Sequence, residues 1–282
     1  MAQDTCALRR AGRDDAAAIE RFLSGHAETS MFLRSNLAAH GIGDSTARAA
    51  TDFVIAQDAE GIKAVFGITR AGYVLVQMPN PVPEIPILQH MWAGRAVMGL
   101  TGVPHQVAAM LTALGLEQRV PALDDNEPLY TLALGDLAVP RVVVHPPTPA
   151  DHTLLAGWFA AYGRETGTAF TDAEAQERAT RAVETAGTRL LKVEDRPVAM
   201  TAINAKVSDM VQVGGVFVPP ALRARGYGRH VVAGHLQEAR DAGMSRAILF
   251  AANAAAARAY EAIGFTRIGD YRIVMYANPV TI

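Results

Sequence analysis

The sequence contains very little cysteine: Cys6 is the single one among 282 residues. No disulfide can form within the chain, so a reducing compartment is expected. No cysteine and histidine spacing resembles a zinc site, and no metal is expected. Cys6 has no recognisable partner residue for nucleophilic chemistry, so we interpret it as a bystander.

An excess of positive charge and a long hydrophobic run are also absent. With 26 basic and 28 acidic residues, the chain lacks the broad positive field expected of a nucleic-acid binder. No unbroken apolar stretch is long enough to cross a bilayer, and Met1–Thr5 lacks the basic and apolar character of a signal peptide. The sequence therefore predicts a cytoplasmic protein with no nucleic-acid or membrane partner, and it leaves the oligomeric state open.

The pattern of hydrophobic residues predicts two domains of similar construction. Half of the residues are hydrophobic, which is enough to form a sizeable core. In each half a short strand and helical segments precede a meander of branched-rich runs, and further helices and strands follow. The segment Asp136–Pro140 is typical of a linker. We expect an α/β fold with domains at 1–138 and 139–282, each a mostly antiparallel mixed sheet flanked by helices.

One stretch in the second half has the features of a phosphate site. A strand-like run from Val216 to Val218 ends at two prolines, and a helical pattern begins within a few residues. Glycines allow backbone amides to approach an anion at the positive end of a helix, and arginines add charge. The residues between the prolines and the helix that carry this prediction are Arg223, Arg225, Gly226, Tyr227, Gly228 and Arg229.

Two further residues follow at a characteristic distance from this stretch. Asn253 precedes an alanine-rich helical segment, which it can cap, and Tyr260 lies within that segment. Tyr260 could equally be an aromatic core residue that anchors the helix.

Together these residues resemble the signature motifs of the GNAT acetyltransferase superfamily. The matching patterns are Val218-Pro219-x-x-x-Arg223-x-x-Gly226-x-Gly228 and Asn253-x-x-Ala256-x-x-x-Tyr260-x-x-x-Gly264-Phe265. The resemblance is close over the last third of the chain and loose over the first half, which is similar to a degenerate second copy. It implies transfer of an acetyl group from acetyl-CoA to a small acceptor, most simply an amine, by direct attack in a ternary complex.

The resemblance also implies a role for each residue. The backbone of Val216 and Val218 and the side chain of Asn253 would contact the pantetheine arm, and residues 223–229 would hold the pyrophosphate. Tyr260 would protonate the departing thiolate as a general acid. The cofactor-binding set is Val216, Val218, Arg223, Arg225, Gly226, Tyr227, Gly228, Arg229 and Asn253.

The general base is left open by the sequence. Many family members carry a glutamate on the strand before the loop, but Asp209–Gly215 contains none. Asp209, Glu165 and a water molecule remain as candidates. The missing glutamate also supports an alternative, a non-catalytic protein that binds acyl-CoA or regulates through it.

The first half lacks the glycine loop. Its corresponding turn, Pro79–Glu84, is rich in proline, which has no amide donor. We therefore expect that this half does not bind acetyl-CoA and instead buttresses the second half. Whether it helps to shape the acceptor site stays open.

Overall fold

The computed structural model describes residues 6–137, 139–168 and 170–282. Their elements in chain order are β1 (Ala7–Arg10), α1 (Ala16–Ser24), α2 (Met31–His40), β2 (Thr51–Asp58), β3 (Gly61–Thr69), β4 (Tyr73–Gln77), α3 (Ile87–Met91), β5 (Ala96–Gly102), α4 (Pro104–Ala113), β6 (Leu123–Ala133), α5 (His152–Glu165), α6 (Asp172–Glu184), β7 (Thr188–Val193), β8 (Arg196–Lys206), β9 (Met210–Phe217), α7 (Tyr227–Asp241), β10 (Arg246–Phe250), α8 (Ala254–Glu261) and β11 (Thr266–Thr281).

The chain forms two units. The first contains residues up to Glu127 together with Asp270–Ile282, and the second is Pro128–Gly269.

In the first unit the strand order is β1-β2-β3-β4-β5-β11. Strands β4 and β5 are parallel, and the other neighbours are antiparallel. Successive residues of β2 face opposite sides of the sheet: Val54 belongs to one hydrophobic cluster and Phe53 to another. Because both faces are covered, β2 and β3 are near-continuous apolar runs rather than alternating ones.

In the second unit the order is β6-β10-β9-β8-β7. Strands β9 and β10 are parallel, and the remaining pairs are antiparallel. One face packs on α7 and α8 through a cluster that includes Val213, Leu236 and Tyr260. The other face packs on α5 and α6 through residues such as Phe159 and Phe217.

The last strand of each sheet comes from the other half of the chain. Residues 129–133 of β6 pair with β10, whereas residues 272–281 of β11 pair with β5. The units therefore divide at Glu127 and Pro128 and again at Gly269 and Asp270, not at the single boundary expected at residue 138. Residue 138 itself lies outside the described residues. Pairing between strands far apart in sequence leaves no local signal, which explains the difference.

The expected fold class is confirmed. Each unit is a mixed, mostly antiparallel sheet with helices on both faces. Within the described ranges, no helix has the length and apolar character that crossing a membrane requires.

Candidate active site

Strands β9 and β10 separate before β9 ends. Their parallel register runs from Met210 and Arg246 to Val213 and Leu249. Two glycines follow on β9, and Gly215 has a φ of +58°, a left-handed conformation that favours glycine. The register between β8 and β9 also shifts here, as in a β-bulge. Val216 consequently lies beyond the segment that pairs with β10, at the position where the sequence predicts contact with an extended ligand.

The loop after β9 has an unusual backbone. Ala224 has a φ of +62°, a conformation that costs a residue with a Cβ atom roughly 1–2 kcal/mol. Gly226 has φ +80° and ψ 1° and is the N-cap of α7, which begins at Tyr227, so that Gly228 and Arg229 lie in the first helical turn rather than in the loop before it. The amides of the first helical turn have no acceptor within the helix. Tyr227, Gly228 and Arg229 thus present backbone donors at the positive end of α7.

The two loop glycines differ in what a side chain at their position would meet. A Cβ atom on Gly226 would lie 3.2 Å from Nε of Arg229 and 3.4 Å from Cε1 of His230, and the positive φ would strain any side chain. At Gly228 the nearest atom would be Cγ2 of Val218, at 3.6 Å, which is ordinary contact. The protein therefore has room for a small side chain at Gly228. The space that this glycine leaves open suits the close approach of a ligand to the backbone.

The three arginines of the loop are not equivalent. Arg225 and Arg229 are exposed and have no ion-pair partner within the described ranges. The guanidinium of Arg229 folds over Gly226. Arg223 instead places its Nη2 atom 2.7 Å from both carboxylate oxygens of Glu165. The structure thus puts this predicted phosphate contact against α5.

Asn253 caps α8 as its position predicts. Its Oδ1 accepts hydrogen bonds from the amides of Ala255 at 3.1 Å and Ala256 at 2.9 Å. Asn253 lies two residues after Ala251, whose amide donates a hydrogen bond to the carbonyl of Pro128 on β6. The residue therefore stands at the end of β10 beyond the point where β9 and β10 separate.

Tyr260 lies in the last turn of α8 and is 6% exposed. Its ring packs in the cluster under α7 and α8, with the ring centroid of Phe265 at 6.1 Å and an interplanar angle of 60°. This packing is sufficient to explain why an aromatic residue stands at position 260. The predicted acid role of the hydroxyl stays a prediction.

The two carboxylates considered as general base occupy different places. Asp209 precedes β9 at the end opposite the loop, and its carbonyl accepts the amides of Ser245 and Arg246. At about 3.3 Å per residue, Asp209 is roughly 30 Å along the strand from Val218. Glu165 lies beside the loop, but its carboxylate is ion-paired with Arg223.

A cavity of about 590 Å³ opens beside the first turn of α7. Tyr227 and Arg229 of the predicted set line it, whereas Asn253 and Tyr260 do not. His230 also lines it, and burial, followed by the charge of Arg229, lowers the pKa of this imidazole. Sequence reasoning missed the cavity because its walls come from several separate segments.

A titrating group in the first unit was also missed. Burial, with a smaller contribution from Asp125, raises the pKa of Glu127 to about 7. The acidic run Asp124-Asp125-Asn126-Glu127 carries no sign that one carboxyl is desolvated. Across the part of the chain that the structure describes, no group of three or more His, Cys, Asp or Glu side chains is placed to hold a metal ion.

The arrangement of a parallel β9–β10 pair, a glycine loop and a following helix defines the fold class, and comparison with solved structures agrees. A Drosophila protein matches with a TM-score of 0.64 and 12% identity over 98% of this chain and 100% of its own. A GCN5-related N-acetyltransferase from Kribbella flavida matches with a TM-score of 0.57 and 17% identity, over 92% of this chain and 95% of its own. One from Sphaerobacter thermophilus matches with a TM-score of 0.57 and 14% identity, over 97% and 96%. At these identities the likeness concerns the fold.

The family comparison is more specific. Residues 153–265 match the model of the acetyltransferase (GNAT) family. The match lies within the second unit and identifies residues 153–265 as a GNAT acetyltransferase domain, as the sequence motifs indicated. No curated protein matches the chain.

Proposed function

We propose that the second unit transfers an acetyl group from acetyl-CoA to a small acceptor, most simply an amine. The observation that carries the proposal is the loop itself. Gly226 caps α7 in a left-handed conformation, and the first-turn amides lie beside Gly228, where an added Cβ would make only ordinary contact. Arg225 and Arg229 form no ion pair among the described residues. A pyrophosphate suits such a site because it is a dianion with acceptor oxygens on both phosphates.

The strands indicate where the pantetheine arm of acetyl-CoA would bind. Where β9 leaves β10, an extended arm that carries amides can pair with backbone groups, as an added strand pairs with a sheet edge. We propose Val216 and Val218 for this backbone contact. The carbonyl of Val218 accepts a hydrogen bond from Nε of Arg223 at 3.0 Å. We therefore assign the amide of Val218, and not its carbonyl, to the contact with acetyl-CoA.

Acetyl transfer at this site needs the protein to position the two reactants and to supply a proton to the leaving thiolate. Positioning contributes because holding amine and thioester in contact replaces a bimolecular encounter. The amine attacks the thioester carbonyl, its proton leaves to water, and the thiolate departs with a proton from Tyr260. We assign no carboxylate as base, because Asp209 lies at the far end of β9 and Glu165 is paired.

We also propose that the first unit does not bind the donor. The segment after β4 leads to the five-residue helix α3, whose N-cap is Pro86 and supplies no amide donor. Calorimetric titration with acetyl-CoA should therefore give one site per chain. Two sites of similar affinity would show that this assignment is wrong.

The test of the activity is the acceptor-dependent release of CoA thiol from acetyl-CoA, followed with a thiol reagent across a broad panel of amines. At least one amine should raise the release well above the rate of hydrolysis. The alternative function, acyl-CoA binding without transfer, is favoured by the absence of a carboxylate on β9. Tight acetyl-CoA binding with no acceptor-dependent release over the whole panel would support that alternative and refute catalysis.

A further inference from the structure

Arg223 has hydrogen-bond partners on two edges of its guanidinium group. Its Nε donates to the carbonyl of Val218 at 3.0 Å, and its Nη2 donates to both oxygens of Glu165 at 2.7 Å. The guanidinium carbon also lies 5.9 Å from the centre of the Phe217 ring. The side chain thus joins the end of β9 to the end of α5.

Helix α5 gains from this contact. Glu165 is its last residue, and a carboxylate at the negative end of a helix is unfavourable unless a cation stands beside it. Earlier in α5, the ring of Trp158 packs 5.9 Å from the ring of Phe217, centroid to centroid. The helix is therefore fixed to the same strand end by an aromatic contact and by the ion pair.

We propose that Glu165 and Arg223 form a tie that holds the loop 219–226 in the conformation that accepts the donor. Arg223 is then a positioning residue, and the charge of the pyrophosphate is met by Arg225 and Arg229. The inference rests on the proposed binding of acetyl-CoA. It differs from the sequence prediction, in which Arg223 contacts the phosphate directly.

The expected effects are moderate. The side chains of the pair are 46% and 43% exposed, and exposed ion pairs contribute at most about 1 kcal/mol. Breaking the tie should therefore weaken acetyl-CoA binding by roughly fivefold. Loss of a direct phosphate contact should be larger and should also reduce the dependence of the affinity on salt.

A charge swap separates the two roles. Acetyl-CoA affinity is measured by calorimetry for the native protein, Glu165→Arg, Arg223→Glu and the double variant. If the pair is a tie, each single variant binds more weakly and the double variant recovers most of the affinity. If Arg223 touches the phosphate, the double variant binds at least as weakly as Arg223→Glu, and the proposal is overturned.

A matched control lies on α6, where Arg181 donates to Glu177 at 2.6 Å on the exposed helix surface. Swapping these two charges should leave the affinity for acetyl-CoA unchanged. Arg225→Met and Arg229→Met should each lower the salt dependence of binding, and Arg223→Met should not. Equal reductions by all three would contradict the proposal.

The tie can also be tested without the donor. Hydrogen exchange of peptides that cover 219–229 should be faster in both single-charge variants and restored in the double variant. This measurement keeps the tie testable if the native protein fails to bind acetyl-CoA, a result that would refute the proposed function instead. Unchanged exchange in both single variants would overturn the tie. If the reversed charge of Glu165→Arg prevents folding, Glu165→Gln is measured in its place, because it removes the charge with little change of shape.

Discussion

The hydroxyl of Tyr130 donates a hydrogen bond of 2.9 Å to Oε1 of Glu261. Tyr130 lies on β6, and Glu261 is the last residue of α8, next to Tyr260. Burial and the nearby carboxylate raise the pKa of Tyr130, so the phenol keeps its proton throughout the neutral range. The bond joins α8 to the sheet directly beside the predicted catalytic tyrosine.

Tyr130→Phe should destabilise the second unit by about 1 kcal/mol, because Glu261 loses a hydrogen-bond donor while the ring and its packing are kept. Urea unfolding gives the free energy of unfolding. A variant as stable as the native protein would show that the bond contributes nothing measurable.

Tyr260→Phe should behave differently. If the hydroxyl protonates the departing thiolate, kcat falls by roughly a hundredfold while the dissociation constant of acetyl-CoA stays the same. Steady-state kinetics and calorimetry measure the two quantities. The Tyr130→Phe variant serves as the matched control, since it removes a phenol hydroxyl next to α8 that has no proposed chemistry. Unchanged kcat in Tyr260→Phe would leave Tyr260 a packing residue.

The buried imidazole of His235 should make the stability of the folded protein depend on pH. It is 3% exposed inside α7, and its Nδ1 atom has no hydrogen-bond partner among the described residues. Burial, and to a smaller degree the charge of Arg189, lowers the pKa of this imidazole from 6.5 to about 3. The folded state thus resists protonation that the unfolded state accepts. This contribution to stability is present above pH 6.5 and is lost as the pH falls below that value.

The loss at pH 5 should be about 2 kcal/mol relative to pH 8. His235→Leu should remove this part of the pH dependence, seen as a flatter curve of unfolding free energy against pH. If the native and variant curves run parallel, the imidazole is not buried in its neutral form.

Glu127 should have the opposite effect. Because burial raises its pKa from 4.5 to about 7 in the folded state, its contribution favours folding below pH 4.5 and is lost as the pH rises through 7. Glu127→Gln should therefore stabilise the protein at pH 8, by up to roughly 3 kcal/mol, and should have little effect at pH 4. Equal effects at both pH values would contradict this.

Local features of the site could be predicted from the sequence because their causes are local. Gly226 directly before the helix, and Asn253 before the alanine-rich segment, act through neighbouring backbone groups. In each case the residue that decides the structure lies within a few positions of its effect.

Features that depend on distant contacts could not be predicted. The pairing of β6 with β10 and of β11 with β5 joins residues from different halves of the chain, so the linker composition near residue 138 could not indicate the division between Glu127 and Pro128. The ion pair of Arg223 with Glu165 likewise joins residues 58 positions apart. An arginine in a glycine loop has the same sequence signature whether it faces a phosphate or a helix end.

The most direct test of the account is calorimetric titration of acetyl-CoA into the native protein, Gly228→Glu and Gly157→Ala. A carboxylate at Gly228 would enter the space beside the first-turn amides and repel a pyrophosphate. At Gly157, on α5, an added Cβ meets no atom within 4 Å, so that variant is the control. We predict one site per chain in the native protein and the control, and a loss of at least about a hundredfold in affinity in Gly228→Glu. Native affinity in a folded Gly228→Glu protein would contradict the assignment of the loop as the donor site.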